Sequence, residues 1–407
     1  MNIGNKYEDK LAALVADPLL IDYVHLRPKY KKALISRELC DVLIENQPLA
    51  IPIQLKVQGV LRKNSDDWLK KETVNATKQI LGALRSLNLN RVVIDNPRTG
   101  IIEFLPKTLK AKHGIIILDY KGDSSALPAV CLRRTKDKIP LHYLTLDDFS
   151  ILCQHLMTLP DLVDYLDKRG EIPEWALPRL NDERNVYAYY LTHGNYFGPT
   201  VKINDFVGEW DRLTQKHAKE YKEKLEEDKQ AELFNLLLKQ IHKEDPNQST
   251  YLPDFIQSDS EKERILRREV TRKLSSIRRL YRREISKTLI EKCEKANTSE
   301  KGFNYFCFMP EGDNTAYVFL SSRHSRKERI TQLCTIVYCV LNTQDVGYVL
   351  GVATENLGVK GRSTDFIMVD KTMKDCDPKA IEDCTRIFKD MEYRHIYDFP
   401  VNKQIIT

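Results

Sequence analysis

Apolar and polar residues alternate along two short runs, 38–44 and 50–57. Cys40, Val42, Ile44, Ile51, Ile53, Leu55 and Val57 fall on one side, and Asp41, Gln54 and Lys56 fall on the other. A period of two marks strands with one buried face. The runs are separated by Gln47-Pro48, so the pattern predicts an antiparallel hairpin turning there. That register places Asp41 opposite Gln54, with Lys56 two residues further along the same face.

The same reading, continued, predicts helices at 7–16 and 66–87 and strands at 91–95, 101–105, 114–120 and 129–133. Helices follow at 146–156 and 159–168. Residues 171–206 are rich in Pro and Tyr and read as a connector. Two long helical patterns cover 207–243 and 259–297 and would form a helical hairpin or arm. Residues 300–407 return to alternating elements: strands at 305–309 and 316–321, a helix at 325–341, strands at 348–352 and 364–369, and a helix at 378–391. The expected fold class is therefore α/β, with an N-terminal mixed sheet flanked by helices, a long-helix middle region and a C-terminal α/β domain. The expected boundaries are 1–170, 171–299 and 300–407.

Length and composition narrow this picture. A chain of 407 residues exceeds one ordinary core. No apolar run reaches the ~18 residues of a membrane span, and the first residues carry no hydrophobic signal core. The nine cysteines include no C-x-x-C pair and mostly sit in apolar runs, as buried thiols do in a reducing compartment. The expectation is a cytoplasmic protein that does not engage a membrane. His113, His142, His155 and His193 show no metal-ligand spacing, and no G-K-[ST] follows Gly358 and Gly361 to make a P-loop. The net charge of +6 does not identify a nucleic-acid binder.

The chemistry concentrates on the hairpin. Asp41 offers an anionic oxygen, Gln54 an amide carbonyl, and Leu55 a backbone carbonyl; such hard oxygens suit Mg2+, with Mn2+ as an alternative. Lys56 can orient an attacking water or meet a phosphate. The plain alternative is an Asp41–Lys56 ion pair on a solvated strand face. Glu8, on the first helix, is a further candidate metal ligand, at the margin of the stripe Leu11, Ala12 and Val15. Glu38 falls on the Cys40 side and reads as peripheral. Arg62 and Lys63 after the hairpin, and Arg267, Arg268, Arg278 and Arg279 on the basic 259–297 helix, are candidate nucleic-acid contacts. That helix also carries the stripe Leu266, Val270, Leu274, Ile277, Tyr281, Ile285 and Leu289, a packing face or a dimer seam.

Asp41 followed by Gln54-Leu55-Lys56 resembles the PD-(D/E)xK nuclease superfamily, in the Q-x-K form of methyl-directed, Mrr-type restriction nucleases. Residues 37–44, 144–149 and 159–169 are also similar to an uncharacterised bacterial family associated with defence genes; the resemblance covers about 1–170. It implies a restriction-endonuclease-like β-β-β-α-β core. It also implies an endonuclease that hydrolyses phosphodiester bonds with Mg2+, DNA favoured over RNA, in defence against foreign DNA. The implied catalytic residues are Asp41, Gln54 and Lys56, and the implied metal ligands are Asp41, Gln54 and Glu8. Expected partners are nucleic acid and either a second copy of the chain or a defence-system protein. Gln54 departs from the commoner acidic residue. The contrasting reading is therefore a catalytically degenerate nucleic-acid binder or a dimeric adaptor on the same fold.

Overall fold

The computed structural model describes residues 3–16, 23–32, 35–59, 65–96, 100–120, 133–135, 138–177, 180–243, 260–310, 313–356, 363–374, 377–387 and 393–395. The chain is mixed α/β and divides into two compact units, 1–222 and 223–403.

In the first unit the elements run α1 (Ile3–Ala16), β1 (Val24–Leu26), β2 (Lys29–Lys32), β3 (Ile35–Glu38), β4 (Val42–Asn46), β5 (Leu49–Val57) and α2 (Ser65–Leu89). They continue with β6 (Arg91–Asn96), β7 (Gly100–Phe104), β8 (Lys110–Ala111), β9 (Gly114–Asp119), β10 (Arg133–Arg134) and β11 (Pro140–Leu144). The helices α3 (Leu146–Leu156), α4 (Leu159–Glu171), α5 (Glu183–Thr192) and α6 (Glu209–Asp211) follow, and α7 (Ala218–Lys229) crosses the boundary. The main sheet has the order β1-β4-β5-β9-β11-β10, with β8 beside β5. β1, β4 and β5 are antiparallel, and β9 and β11 continue parallel to β5. β3, β2, β6 and β7 form a second, antiparallel sheet. The hairpin turns at Gln47-Pro48, and Val42 pairs with Ile53, in the register that the alternation predicts. Most of the predicted 129–133 strand lies outside the described residues.

Both faces of the hairpin are covered. Every residue of β4 is buried. Ala76, Ile80, Ala83, Leu84 and Leu87 recur at helical spacing on α2, and this stripe packs over Leu43, Ala50, Ile116 and Leu118. Gly114 permits the approach, because a Cβ there would lie 2.8 Å from both Ile80 and Leu141. α1 packs against β1, β4 and β5.

The expected connector at 171–206 is part of this unit. Tyr187, Tyr190, Phe197 and Phe206 are buried; the first three meet Tyr165 edge-on, Phe206 meets Tyr189 edge-on, and Phe197 stacks on Tyr189. The boundary therefore falls near residue 222 rather than 170, because aromatic burial extends the core across the Pro-rich stretch.

In the second unit, α8 (Glu232–Lys243), α9 (Ser260–Ser275) and α10 (Arg279–Thr298) precede β12 (Phe303–Met309), β13 (Thr315–Ser322), α11 (Arg326–Thr343), β14 (Tyr348–Glu355), β15 (Thr364–Asp370), α12 (Pro378–Ile387) and β16 (Tyr393–His395). The sheet order is β15-β14-β13-β12-β16. α11 and α12 pack against one set of its side chains, among them Val318, Leu320 and Ile367. α8 and α10 meet the opposite set, as Phe234 beside Phe319 and Tyr281 beside Phe308.

The two long helices expected at 207–243 and 259–297 are each interrupted. The first breaks at 217 and 230–231, and the second at 276–278. Val270, Leu274, Ile277, Ile285 and Leu289 are all buried within the unit, so their stripe is a packing face and is not open as a dimer seam.

Candidate functional site

Asp41 stands one residue before β4, where the register carries it to Gln54 of β5. Its side chain is 6% exposed and that of Gln54 is 4% exposed. The plain reading of a solvated strand face therefore does not hold. One Asp41 oxygen, Oδ2, accepts from the Leu55 backbone N–H at 2.6 Å and from the Gln54 side-chain amide. The Asp41 carbonyl accepts from the Arg27 N–H at 2.9 Å. Lys56 is half-buried on the next same-face position of β5. Along this face α2 covers Leu43 and Ala50, and the polar residues lie further toward the C-terminal end of β5.

Two more carboxylates reach the group. Glu8 of α1 pairs with the Arg27 guanidinium, which extends to Asp9 at 3.5 Å. The Glu8 charge raises the pKa of both Asp41 and Glu38. Glu38 was expected to be peripheral, on the parity argument. It instead lies within electrostatic reach of Asp41, Lys56 and Arg27, each of which opposes the rise of its carboxyl. Parity fails because Glu38 ends β3 in the second sheet, and Leu39-Cys40-Asp41 carries the chain into the main sheet before β4 starts. Alternation holds only within one continuous strand. Arg27 and Glu38 are thus the site-associated residues that periodicity missed. Arg27 carries no pattern signal, because it occupies a bend between β1 and β2 with φ of 45°.

Burial pushes the Asp41 carboxyl up to about 6, and the Glu8 charge adds to the rise; the Leu55 N–H, Lys56 and Gln54 oppose it. Burial likewise raises Glu38, with Glu8 next in weight. A carboxyl raised on folding costs nothing while both states are protonated. Its cost grows as pH rises from the unfolded value through about 6, and is complete above that. Asp41→Asn should therefore stabilise the cation-free protein at pH 8 by up to about 3 kcal/mol and leave it unchanged below about pH 4. Urea melts at both pH values measure this. A gain that is the same at both would contradict it.

The donor chemistry fits a hard divalent cation: the Asp41 carboxylate, the Gln54 amide carbonyl and, from α1, Glu8. The Glu8 charge disfavours ionisation of both Asp41 and Glu38, which a cation relieves. Two features run the other way. Gln54 presents its NH2 group to Asp41, so its carbonyl meets a cation there only if the amide turns over. Among the described residues, no three His, Cys, Asp or Glu side chains converge at metal-binding range.

The arginine contacts need correction. Arg62 and Lys63 lie outside the described residues. Arg267 is 5% exposed, donates to the Ile241 carbonyl at 3.2 Å, and stacks over Phe366. Arg279 pairs with the buried Asp228 at 2.5 Å. Neither guanidinium is on an open surface: each is held against a backbone carbonyl or a carboxylate within the unit. Arg268 is half-buried and Arg278 is exposed. His113 and His142, far apart in sequence, are neighbours at 3.1 Å. Arg169, which can only donate, meets His142 Nδ1 at 3.2 Å and holds Glu183 with two hydrogen bonds. Burial holds His113 down at about 4, so its imidazole is neutral at physiological pH, beside the buried Arg169–Glu183 ion pair. No described helix is long and apolar enough to cross a membrane. No family model, curated protein or solved structure matches this chain.

Proposed function

We propose that the first unit is a metal-dependent endonuclease that hydrolyses phosphodiester bonds of DNA. The observation that carries this reading is the meeting of Asp41 with Gln54 on one hairpin face, with Lys56 next on that face. The order of elements supports it. α1, the antiparallel β1, β4 and β5, then α2, then β9 parallel to β5 is the helix and β-β-β-α-β succession that the PD-(D/E)xK resemblance implies. A bound Mg2+ or Mn2+ would neutralise charge on the phosphoryl oxygens and lower the pKa of water. Asp41, Gln54 and Glu8 would hold it. The Leu55 N–H fixes the Asp41 carboxylate in place, and Lys56 offers its ammonium to the phosphate or to the attacking water. A cytoplasmic place and a role in defence against foreign DNA follow from composition and from the resemblance.

Incubation with plasmid, linear DNA and RNA in Mg2+, Mn2+ or EDTA tests this. Nicking of DNA that needs the cation and stops in EDTA is expected. Cleavage of none of the three with either metal would end the enzyme reading. A second reading, a degenerate binder on the same fold, is favoured by the Gln54 amide already satisfying Asp41. It is selected if DNA is retained in a shift assay but never cut.

Gln54 itself supplies a discriminating variant. Gln54→Glu sets two carboxylates in contact, so melting should fall without divalent cations and recover with Mg2+, with metal affinity raised about tenfold. Gln54→Ala should lose affinity. Calorimetry that finds parental affinity in Gln54→Glu would remove Gln54 from the ligand set.

A further inference from the structure

Arg27 lies in the gap between β1 and β2 and joins three parts of the site. Its backbone N–H holds the Asp41 carbonyl at 2.9 Å, its Nε meets Glu8 Oε2 at 2.5 Å, and its Nη2 lies 3.5 Å from Asp9. The backbone is held at φ 45°, a left-handed conformation that is strained for a residue bearing a Cβ. The strain is offset by the bond to Asp41 and by the Leu39 N–H to the Pro28 carbonyl at 2.7 Å. This bend delivers the guanidinium to the acidic group. Glu8 acts electrostatically on both Glu38 and Asp41, and Arg27 and Lys56 are the cations that act on Glu38. With Asp9, which also reaches the guanidinium, the carboxylates outnumber the two cations. Glu8 cannot give the same oxygen to a guanidinium and to a metal ion.

We propose that Arg27 is a built-in counter-cation that competes with the divalent cation for Glu8, and so sets the cation concentration at which the site loads. The proposal rests on the metal-site reading above. Arg27 is a positioning residue: it acts through Glu8 and through the Asp41 backbone. Loading moves Glu8 off the guanidinium toward Asp41 and Gln54. The resting protein keeps the acidic group paired at low cation concentration, which avoids leaving desolvated carboxylates unpaired.

Removing the charge while keeping a hydrogen-bond donor separates this role from packing. Arg27→Gln leaves the backbone bond and the bend in place, and it makes the net charge of the group one unit more negative. Arg27→Lys keeps the charge. Mn2+ binding to the full chain, followed by calorimetry, is expected to be about tenfold tighter in Arg27→Gln, a figure reduced for the partial exposure of Arg27. Arg27→Lys should bind as the parent does. Unchanged or weaker Mn2+ binding in Arg27→Gln, with a parental melting curve, overturns the proposal. So does tightening in Arg27→Lys equal to that in Arg27→Gln, which would make the effect one of shape. If Arg27→Gln does not fold, Arg27→Lys and Glu8→Gln decide: Glu8→Gln should weaken Mn2+ binding, and a parental affinity overturns the proposal. An Asp41→Asn arm keeps the two levels apart. Parental Mn2+ binding in Asp41→Asn, or none in the parent, removes the metal site itself. Binding that needs Asp41 but ignores Arg27 removes the counter-cation alone.

Discussion

Asp41→Ala and Lys56→Ala are each expected to lower Mg2+-dependent plasmid nicking by at least about a hundredfold, the usual scale for losing a group that handles charge or protons at the reacting centre. The reasons differ. Asp41 contributes the anionic oxygen that Leu55 and Gln54 hold in place, and its removal leaves the Leu55 N–H without its acceptor. Lys56 contributes a cation on the same face, half-buried and followed by a strand end that remains paired to Asp119. Asp41→Ala should therefore also abolish Mn2+ binding. Lys56→Ala should bind Mn2+ at least as well as the parent, because a positive charge has left the group. Turnover against plasmid, with calorimetry alongside, reads both. Nicking at the parental rate by either folded variant would sink the assignment of that residue.

The hairpin was legible because two constraints agreed. Period-two alternation named the faces, and Gln47-Pro48 fixed the turn, so the contact of Asp41 with Gln54 followed from counting. The α/β order of both ends was legible for the same reason. Other features were not, and the causes are physical. Leu39-Cys40-Asp41 carries the chain from one sheet to the other, and nothing in residue type distinguishes that step from a continuing strand. Alternation also suggested a solvated polar face, whereas α2 covers Leu43 and Ala50 on that same side. The pairing of Arg27 with Glu8 depends on a bend and on the docking of α1, both tertiary. The contact of His113 with His142 depends on the parallel register of β9 and β11. The basic stretch misled most. Charge implied solvent, but a guanidinium is buried readily where it can donate to carbonyls at a helix end, and two helix ends lie beside it.

Arg282 makes that last point measurable. It is 2% exposed and sits at the break between α9 and α10. Its Nε donates to the Ile277 carbonyl at 2.9 Å and its Nη2 to the Ser275 carbonyl at 2.8 Å, both at the end of α9. Its Nη1 donates to Asn235 at 3.1 Å, and the guanidinium lies 5.4 Å from the Phe234 ring centre. A cation at a helix C-terminus also complements the helix dipole. Arg282→Ala leaves two buried carbonyls short of a donor and opens a cavity beside Phe234, so a loss of about 3–5 kcal/mol is expected. Arg282→Lys keeps the charge but lacks the fork that meets both carbonyls, and should recover only part of the loss. Arg278, four residues earlier, is exposed, and Arg278→Ala should change stability by less than about 0.5 kcal/mol. Urea denaturation of the three variants gives the ordering directly. Equal midpoints for Arg282→Ala and Arg278→Ala would return this stretch to the solvent-facing role that its charge first suggested. With the expected ordering, Arg268 and Arg278 are the two of the four arginines proposed as DNA contacts that remain candidates. Changing those two to Glu should then flatten the salt dependence of duplex binding while the melting temperature holds.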